Sequence, residues 1–151
     1  MSYELEIKNL DQLRKMFKQA PEVCDKYLQA GTKDAGNFIL QEMKKQAPQG
    51  DTKKLMGTIQ LEYKPIQARI YPTRDYANYV EFGTGIFGPK GTPIVPKNKN
   101  YLAFKINGKW IRTKSVKGQK PNPFVGRTVE NVGENIDIIF RTVLNKIINN
   151  I

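Results

Sequence analysis

The sequence predicts an α+β domain in which an antiparallel β-sheet built from hairpins packs against two long helices. Three observations carry that reading: alternating apolar runs between positions 59 and 70, an Asn107-Gly108 pair flanked by further alternation, and apolar residues recurring every three or four positions over 24–43 and again over 125–147. The first two have the period of a strand and the third that of a helix. A chain of 151 residues is the size of one domain, so a single domain spanning 1–151 is expected, with an inserted basic loop and hairpin at about 85–120.

Along the chain, Tyr3 to Ile7 alternates as a short strand does, and Asp11 can cap a helix through Leu13, Met16 and Phe17 to Ala20. Pro21 suits the first turn of a second, longer helix. Its apolar positions Cys24, Tyr27, Leu28, Ala35, Phe38, Ile39 and Met43 form one stripe, and Gly31 and Gly36 each weaken it by about 1 kcal/mol relative to alanine. Cys24 on that stripe reads as a small core hydrophobe. Pro48-Gln49-Gly50 closes the helix.

In the first hairpin Ile59, Leu61 and Tyr63 share one face, and Ile66, Ala68 and Ile70 share the corresponding face after a turn at Lys64-Pro65. The second is marked by Asn107-Gly108, the pair that best tolerates positive φ in a two-residue type I′ turn. That turn sets Ile106 against Lys109, Phe104 against Ile111 and Leu102 against Thr113, a mostly apolar side; Lys105 with Trp110 and Tyr101 with Lys114 take the other. The last helix repeats Val125, Val129, Val132, Ile136, Ile139, Val143 and Ile147 in steps of three or four. Ile138, Phe140, Leu144 and Ile148 widen its stripe beyond what one core covers, which suggests packing on a neighbouring subunit.

Composition narrows the chemistry. With one cysteine, Cys24, there is no internal disulfide, and with no histidine the usual zinc ligand sets cannot be built. The absence of histidine also removes the commonest proton carrier near neutral pH. Neither an export signal nor a membrane span is read: Met1-Ser2-Tyr3-Glu4 has no basic stretch followed by an apolar one, and Asp137, Arg141 and Lys146 interrupt the apolar run Ile136–Ile151.

The net charge of +11 is concentrated. Residues 1–50 carry 8 basic and 7 acidic side chains, residues 51–123 carry 14 and 4, and residues 124–151 carry 3 and 3. No acid falls between Glu81 and Glu130, whereas Lys90, Lys97, Lys99, Lys105, Lys109, Arg112, Lys114, Lys117, Lys120 and Arg127 do. A one-signed segment implies a one-signed partner or channel. Lysines alternating with Tyr101 and Trp110 could meet phosphates and stacked bases together, and lysine stems also lie across aromatic rings on ordinary strands.

Catalytic and cofactor motifs fail on context. Gly83-Thr84-Gly85-Ile86-Phe87-Gly88 has the letters of the dinucleotide fingerprint, but a helical stretch precedes it and Pro89, Pro93 and Pro96 oppose a helix after it. Gly88-Pro89-Lys90-Gly91-Thr92 lacks the residue order of a phosphate loop. No sequence cue pairs Asp51, Glu62, Asp75 or Glu81 as catalytic carboxylates; Asp51 before Thr52 reads as a helix cap and Glu81 as a hydrogen-bond partner within its own turn. No catalytic, cofactor-binding or metal-ligating residue is assigned, and no cofactor is implied. The chain reads as a non-enzyme.

Tyr76-Ala77-Asn78-Tyr79-Val80-Glu81-Phe82-Gly83-Thr84 resembles the Tyr-Ala-x-Tyr-Val-Glu-Phe-Gly-Thr run of a family of tailed-phage morphogenesis proteins of the neck and tail-completion type. Asp51-Thr52-Lys53-Lys54-Leu55-Met56-Gly57-Thr58-Ile59 is similar to the family's Asp-Thr-Gly-x-Leu-x-x-Ser-Ile segment, and Pro123-Phe124 to its Pro-Phe signature. Tyr76, Tyr79 and Val80 at helical spacing put rings on one face of a short helix that a left-handed Gly83 ends, and Phe124 would anchor the last helix. The chain departs from the pattern at Lys53, where the family usually has glycine, and in the 36 residues between Thr84 and Pro121, where many members have a short link.

The resemblance implies a virion structural protein of the neck, a tail-completion or head-tail joining component made in the host cytoplasm. It would form a homo-oligomeric ring, a hexamer or a dodecamer, through which DNA passes, between a portal-side connector and tail-tube proteins, with no membrane partner. Lys90, Lys97, Lys99, Lys105, Lys109, Trp110, Arg112, Lys114, Lys117 and Lys120 are the candidate contacts to an acidic partner or, transiently, to duplex DNA. The alternative is a basic nucleic-acid-binding module using the 101–114 hairpin.

Overall fold

The computed structural model describes residues 10–49 and 55–150. In order these form α1 (Leu10–Gln46), a 3₁₀ turn (Met56–Thr58), β1 (Ile59–Lys64), β2 (Gln67–Pro72), α2 (Ala77–Phe82), a 3₁₀ turn (Gly85–Phe87), β3 (Leu102–Ile106), β4 (Lys109–Thr113) and α3 (Phe124–Asn150). The α+β class with two long helices and antiparallel hairpins is therefore borne out, although the hairpins make two separate two-stranded sheets. The expected strand at Tyr3–Ile7 and the cap at Asp51-Thr52 lie outside the described residues. Two compact units contribute the contacts, one from 1–40, 61–70 and 132–151, the other from 41–60 and 71–131.

In the first unit the helical stripe keeps its predicted side: Cys24, Tyr27, Leu28, Phe38 and Ile39 are half-buried and Ala35 is buried. The expected break at Pro21 is not there. Helix α1 runs through it, with the ring on an exposed position, so the missing amide leaves one backbone acceptor where water can reach it. Both helical glycines serve packing. A Cβ at Gly31 would run into Cγ2 of Val143 on α3, and one at Gly36 would lie 2.9 Å from the Cβ of Ala68, 3.0 Å from the Tyr63 ring and 3.3 Å from Leu61. The propensity loss read from sequence is thus offset by close approach of the hairpin and of α3. The Tyr63 hydroxyl fixes the hairpin further, donating to the Lys33 carbonyl at 3.1 Å.

The turn of that hairpin falls one residue later than expected, at Pro65-Ile66, which leaves Ile66 exposed instead of on the core face. Ala68 and Ile70 do keep their side, half-buried. On α3, Val132, Val143 and Ile147 are buried and Ile136, Ile139 and Phe140 half-buried. Ile138, Leu144 and Ile148 are exposed.

The second unit buries Met43, Ala47, Leu55, Ile59, Ala77, Phe124 and Thr128. Val129, which the sequence put on the stripe, is 66% exposed, because the buried line passes from Thr128 to Val132. The end of α1 is tied to the start of α3. Arg127 donates through Nε to Gln46 Oε1 at 3.2 Å and through Nη2 to the Gln46 carbonyl at 3.1 Å and to Asn122 Oδ1 at 2.7 Å. A guanidinium at a helix C-terminus meets both the free carbonyls and the negative end of the dipole.

Glu42, one turn earlier, accepts from Gln46 Nε2 at 2.8 Å and from Asn131 Nδ2 at 3.1 Å, with Lys45 at 3.5 Å. These hold its carboxyl below the ordinary range, the Gln46 hydrogen bond most and the Asn131 hydrogen bond next. A carboxyl depressed in the folded state contributes stability above its unfolded value and loses it as pH falls through the folded one. Urea midpoints measured downward from about pH 6 should therefore fall more steeply for the wild type than for Glu42→Gln. Parallel curves would show the cluster to be energetically idle.

Candidate functional site: a braced motif and a basic arm

Residues 76–84 are positioned by backbone and carboxylate contacts to 117–126. The Asn122 amide donates to the Val80 carbonyl at 2.8 Å and the Thr84 amide to the Gln119 carbonyl at 2.9 Å. Thr84 Oγ1 accepts in turn from the Gln119 amide at 2.9 Å. Helix α3 has no acidic residue in its first turn, which leaves its first amides in want of an acceptor. Glu81 supplies it: its two carboxylate oxygens accept from the amides of Val125 at 2.9 Å and Gly126 at 3.0 Å. The expectation that Glu81 bonds within its own turn is corrected, since its partners lie 44 and 45 residues downstream. The absence of a local acid in 124–128 was the signal that could have pointed there.

Gly83 ends α2 at φ 75 and ψ 177, a positive-φ but extended conformation in place of the expected left-handed helical one. That region is open essentially to glycine alone, and a Cβ there would lie 2.9 Å from both the Gln119 carbonyl oxygen and the Pro121 nitrogen. Ala77 is buried and Val80 half-buried, whereas Tyr76 is exposed and Tyr79 and Phe82 are 61% and 60% exposed. The rings therefore face solvent. Leu55 and Ile59 are buried, Phe124 is fully buried and Pro123 is exposed; Asp51 and Thr52 lie outside the described residues.

The loss of Glu81 has a defined cost. Glu81→Gln retains one acceptor and turns an amide donor toward the helix amides, so stability should drop by about 1.5–3 kcal/mol, the range for hydrogen bonds to a charged group. Urea unfolding followed by circular dichroism reads it. A variant as stable as the wild type would deny the carboxylate this capping role.

Beyond the motif the chain leaves as an arm and returns beside itself. The Ile86 amide bonds the Lys117 carbonyl at 2.8 Å, and Ile94 and Val116 exchange both backbone bonds, at 2.9 and 3.0 Å. Then β3 pairs antiparallel with β4 in the predicted register: Leu102 with Thr113, Phe104 with Ile111, Lys105 with Trp110 and Ile106 with Lys109. Asn107 at φ 49 and Gly108 at φ 79 make the expected turn. The apolar side is only partly shaded: Leu102 and Phe104 are half-buried, Ile106 and Ile111 exposed.

Lys90, Lys97, Lys99, Lys105, Lys109, Arg112, Lys114, Lys117 and Lys120 are all exposed. Among the described residues none of them makes an ion pair. Trp110 is 68% exposed, with Lys105 Nζ 5.1 Å from its ring, and Lys120 stands 5.9 Å from the ring of Phe87. The tenth cation of the acid-free stretch, Arg127, is engaged with Gln46 and Asn122 and belongs to the scaffold.

The glycine cluster has no fingerprint context, because α2 precedes it, a 3₁₀ turn lies within it and the next regular element is β3. Among the described residues no group of three or more potential ligands could hold a metal ion, and no helix is long and apolar enough to cross a membrane.

Residues 11–83 match the HK97-gp10-like family of phage proteins. Its description reads "Bacteriophage HK97-gp10, putative tail-component". The match bears out the resemblance to a phage tail-completion family, and it stops at the glycine that ends α2. By its description the family is one of phage tail components, and a structural role in the virion is what the match suggests for this chain. The basic arm and the Pro123-Phe124 pair lie beyond the matched stretch. Among curated proteins and solved structures, nothing matches the chain.

Proposed function

We propose that this HK97-gp10-like protein is a tail-completion or head-tail joining component that assembles into a homo-oligomeric ring, with its basic arm turned toward DNA or an acidic neighbouring protein. The observation that supports this most is the conjunction of a tail-component match over 11–83 with an arm that begins immediately after it and carries nine exposed cations and no acid. The scaffold resembles its family; the arm adds a surface that favours negative charge. A cyclic head-to-tail ring needs two different adhesive surfaces on each subunit, and the exposed apolar residues Ile138, Leu144 and Ile148 of α3 and the rings of Tyr79 and Phe82 are available for contacts of that kind.

Light-scattering mass, with and without tail-tube protein, tests the reading. A closed oligomer is expected. A stable monomer whose DNA affinity falls steeply with salt would replace this reading with that of a nucleic-acid-binding module.

A further inference from the structure

We propose that residues Tyr3–Ile7 of a second copy add as a third strand along the outer edge of β4, joining subunits through the arm; this rests on the oligomeric reading above. An isolated two-stranded hairpin is marginal in water, and stability ordinarily requires a third strand or a covered face. Among the described residues the β3–β4 hairpin has no third strand, and its apolar face is only partly shaded. Its sheet contains two strands, and in β4 the side chains from Lys109 to Arg112 are all exposed. An open edge presents unpaired amides and carbonyls, a template for another extended chain.

Charge and periodicity select the occupant. Tyr3-Glu4-Leu5-Glu6-Ile7 has three apolar residues alternating with two glutamates, and it lies outside the described residues. On β4, Lys109, Ile111 and Thr113 share one face with Phe104 and Leu102, while Trp110 and Arg112 share the other with Lys105. A five-residue strand centred with Leu5 opposite Ile111 sets Tyr3 and Ile7 on the apolar side. In either strand direction one glutamate then stands opposite Arg112 and the other beside Trp110, near Lys105. A one-residue slip would put both glutamates on the apolar side. The arm has no acid of its own, and this segment has two.

The contact is heterologous: the donor precedes α1 and the acceptor is β4, the two unlike surfaces that a head-to-tail assembly requires.

Cysteine pairing tests it in a Cys24→Ala background. Protein carrying Leu5→Cys is mixed with protein carrying Ile111→Cys under mild oxidation, since facing residues on paired strands have Cβ atoms about 4.5–5.5 Å apart. A disulfide-linked dimer should form on the order of a hundredfold faster than with Asp25→Cys in place of Ile111→Cys, because pairing holds the thiols at millimolar effective concentration in a micromolar solution. No excess over the control overturns the proposal. So does a double variant that closes its disulfide within one chain while the mixture gives no dimer. The mass of the cysteine-free protein separates the two readings: a closed oligomer without the cross-link sinks the strand donation alone, and a monomer without it sinks both.

Discussion

Gly118→Ala should unfasten the base of the basic arm. Gly118 sits at φ 94, and a Cβ there would fall on the carbonyl oxygen of Thr84; Gly85, at φ 64, stands in the reciprocal relation to the carbonyl oxygen of Lys117. Two backbone segments touch at this point, so neither can yield by rotating a side chain. Positive φ in a non-glycine residue costs about 1–3 kcal/mol, and forcing the two backbone segments apart adds a comparable amount, for a loss on the order of 3–4 kcal/mol. For a chain of this length that is a fall of roughly 10 °C in Tm. Trypsin should also reach Lys114, Lys117 and Lys120 sooner. Gly57→Ala, which meets nothing within 4 Å, should change neither readout. A Gly118→Ala protein with wild-type Tm and digestion rate would refute the clasp.

The second large effect is functional. Replacing Lys105, Lys109, Arg112 and Lys114 with glutamine should leave the fold intact, because all four are exposed and none makes an ion pair among the described residues. On the proposed function, heads and tails should fail to join or DNA should fail to pass. If about five arm cations meet phosphates, the logarithm of DNA affinity falls by about 4.5 per decade of salt, and removing four should bring that slope to about 1. A protein partner would give a shallower dependence at the outset. Fully infectious particles from a folded quadruple variant would reduce the charge asymmetry to a solubility feature.

The sequence carried the elements whose determinants are local. Asn107-Gly108 contains its turn and register in two residues, and the stripes of α1 and α3 are repeated often enough to survive a misplaced position such as Val129. Contacts between distant segments were not legible. Helical propensity marks Gly31 and Gly36 as defects, yet their value lies in Val143 and in Ala68, Tyr63 and Leu61. Pro21 marks a start on local grounds, because a proline inside a helix is costly, yet a helix of 37 residues tolerates it at an exposed position. The aromatic motif was legible as architecture, but not the direction its rings take: Tyr79 and Phe82 point outward, while Glu81 between them points to α3.

The cap on α3 also bears on the order in which the chain folds. Glu81 is separated from the amides it serves by the whole arm, so supplying the first turn of α3 with its acceptor requires that a long loop be closed, and the Thr84–Gln119 contact closes nearly the same loop. Closing that loop carries an entropic cost that grows as the logarithm of its length, of order 3 kcal/mol for about 36 residues on the (3/2)RT ln n scale. Pairing within the arm lowers that cost by shortening the effective loop: the tight turn at Asn107-Gly108 can form within microseconds and bring its flanks together. A formed hairpin therefore lowers the entropic cost of bringing Glu81 to the first turn of the last helix.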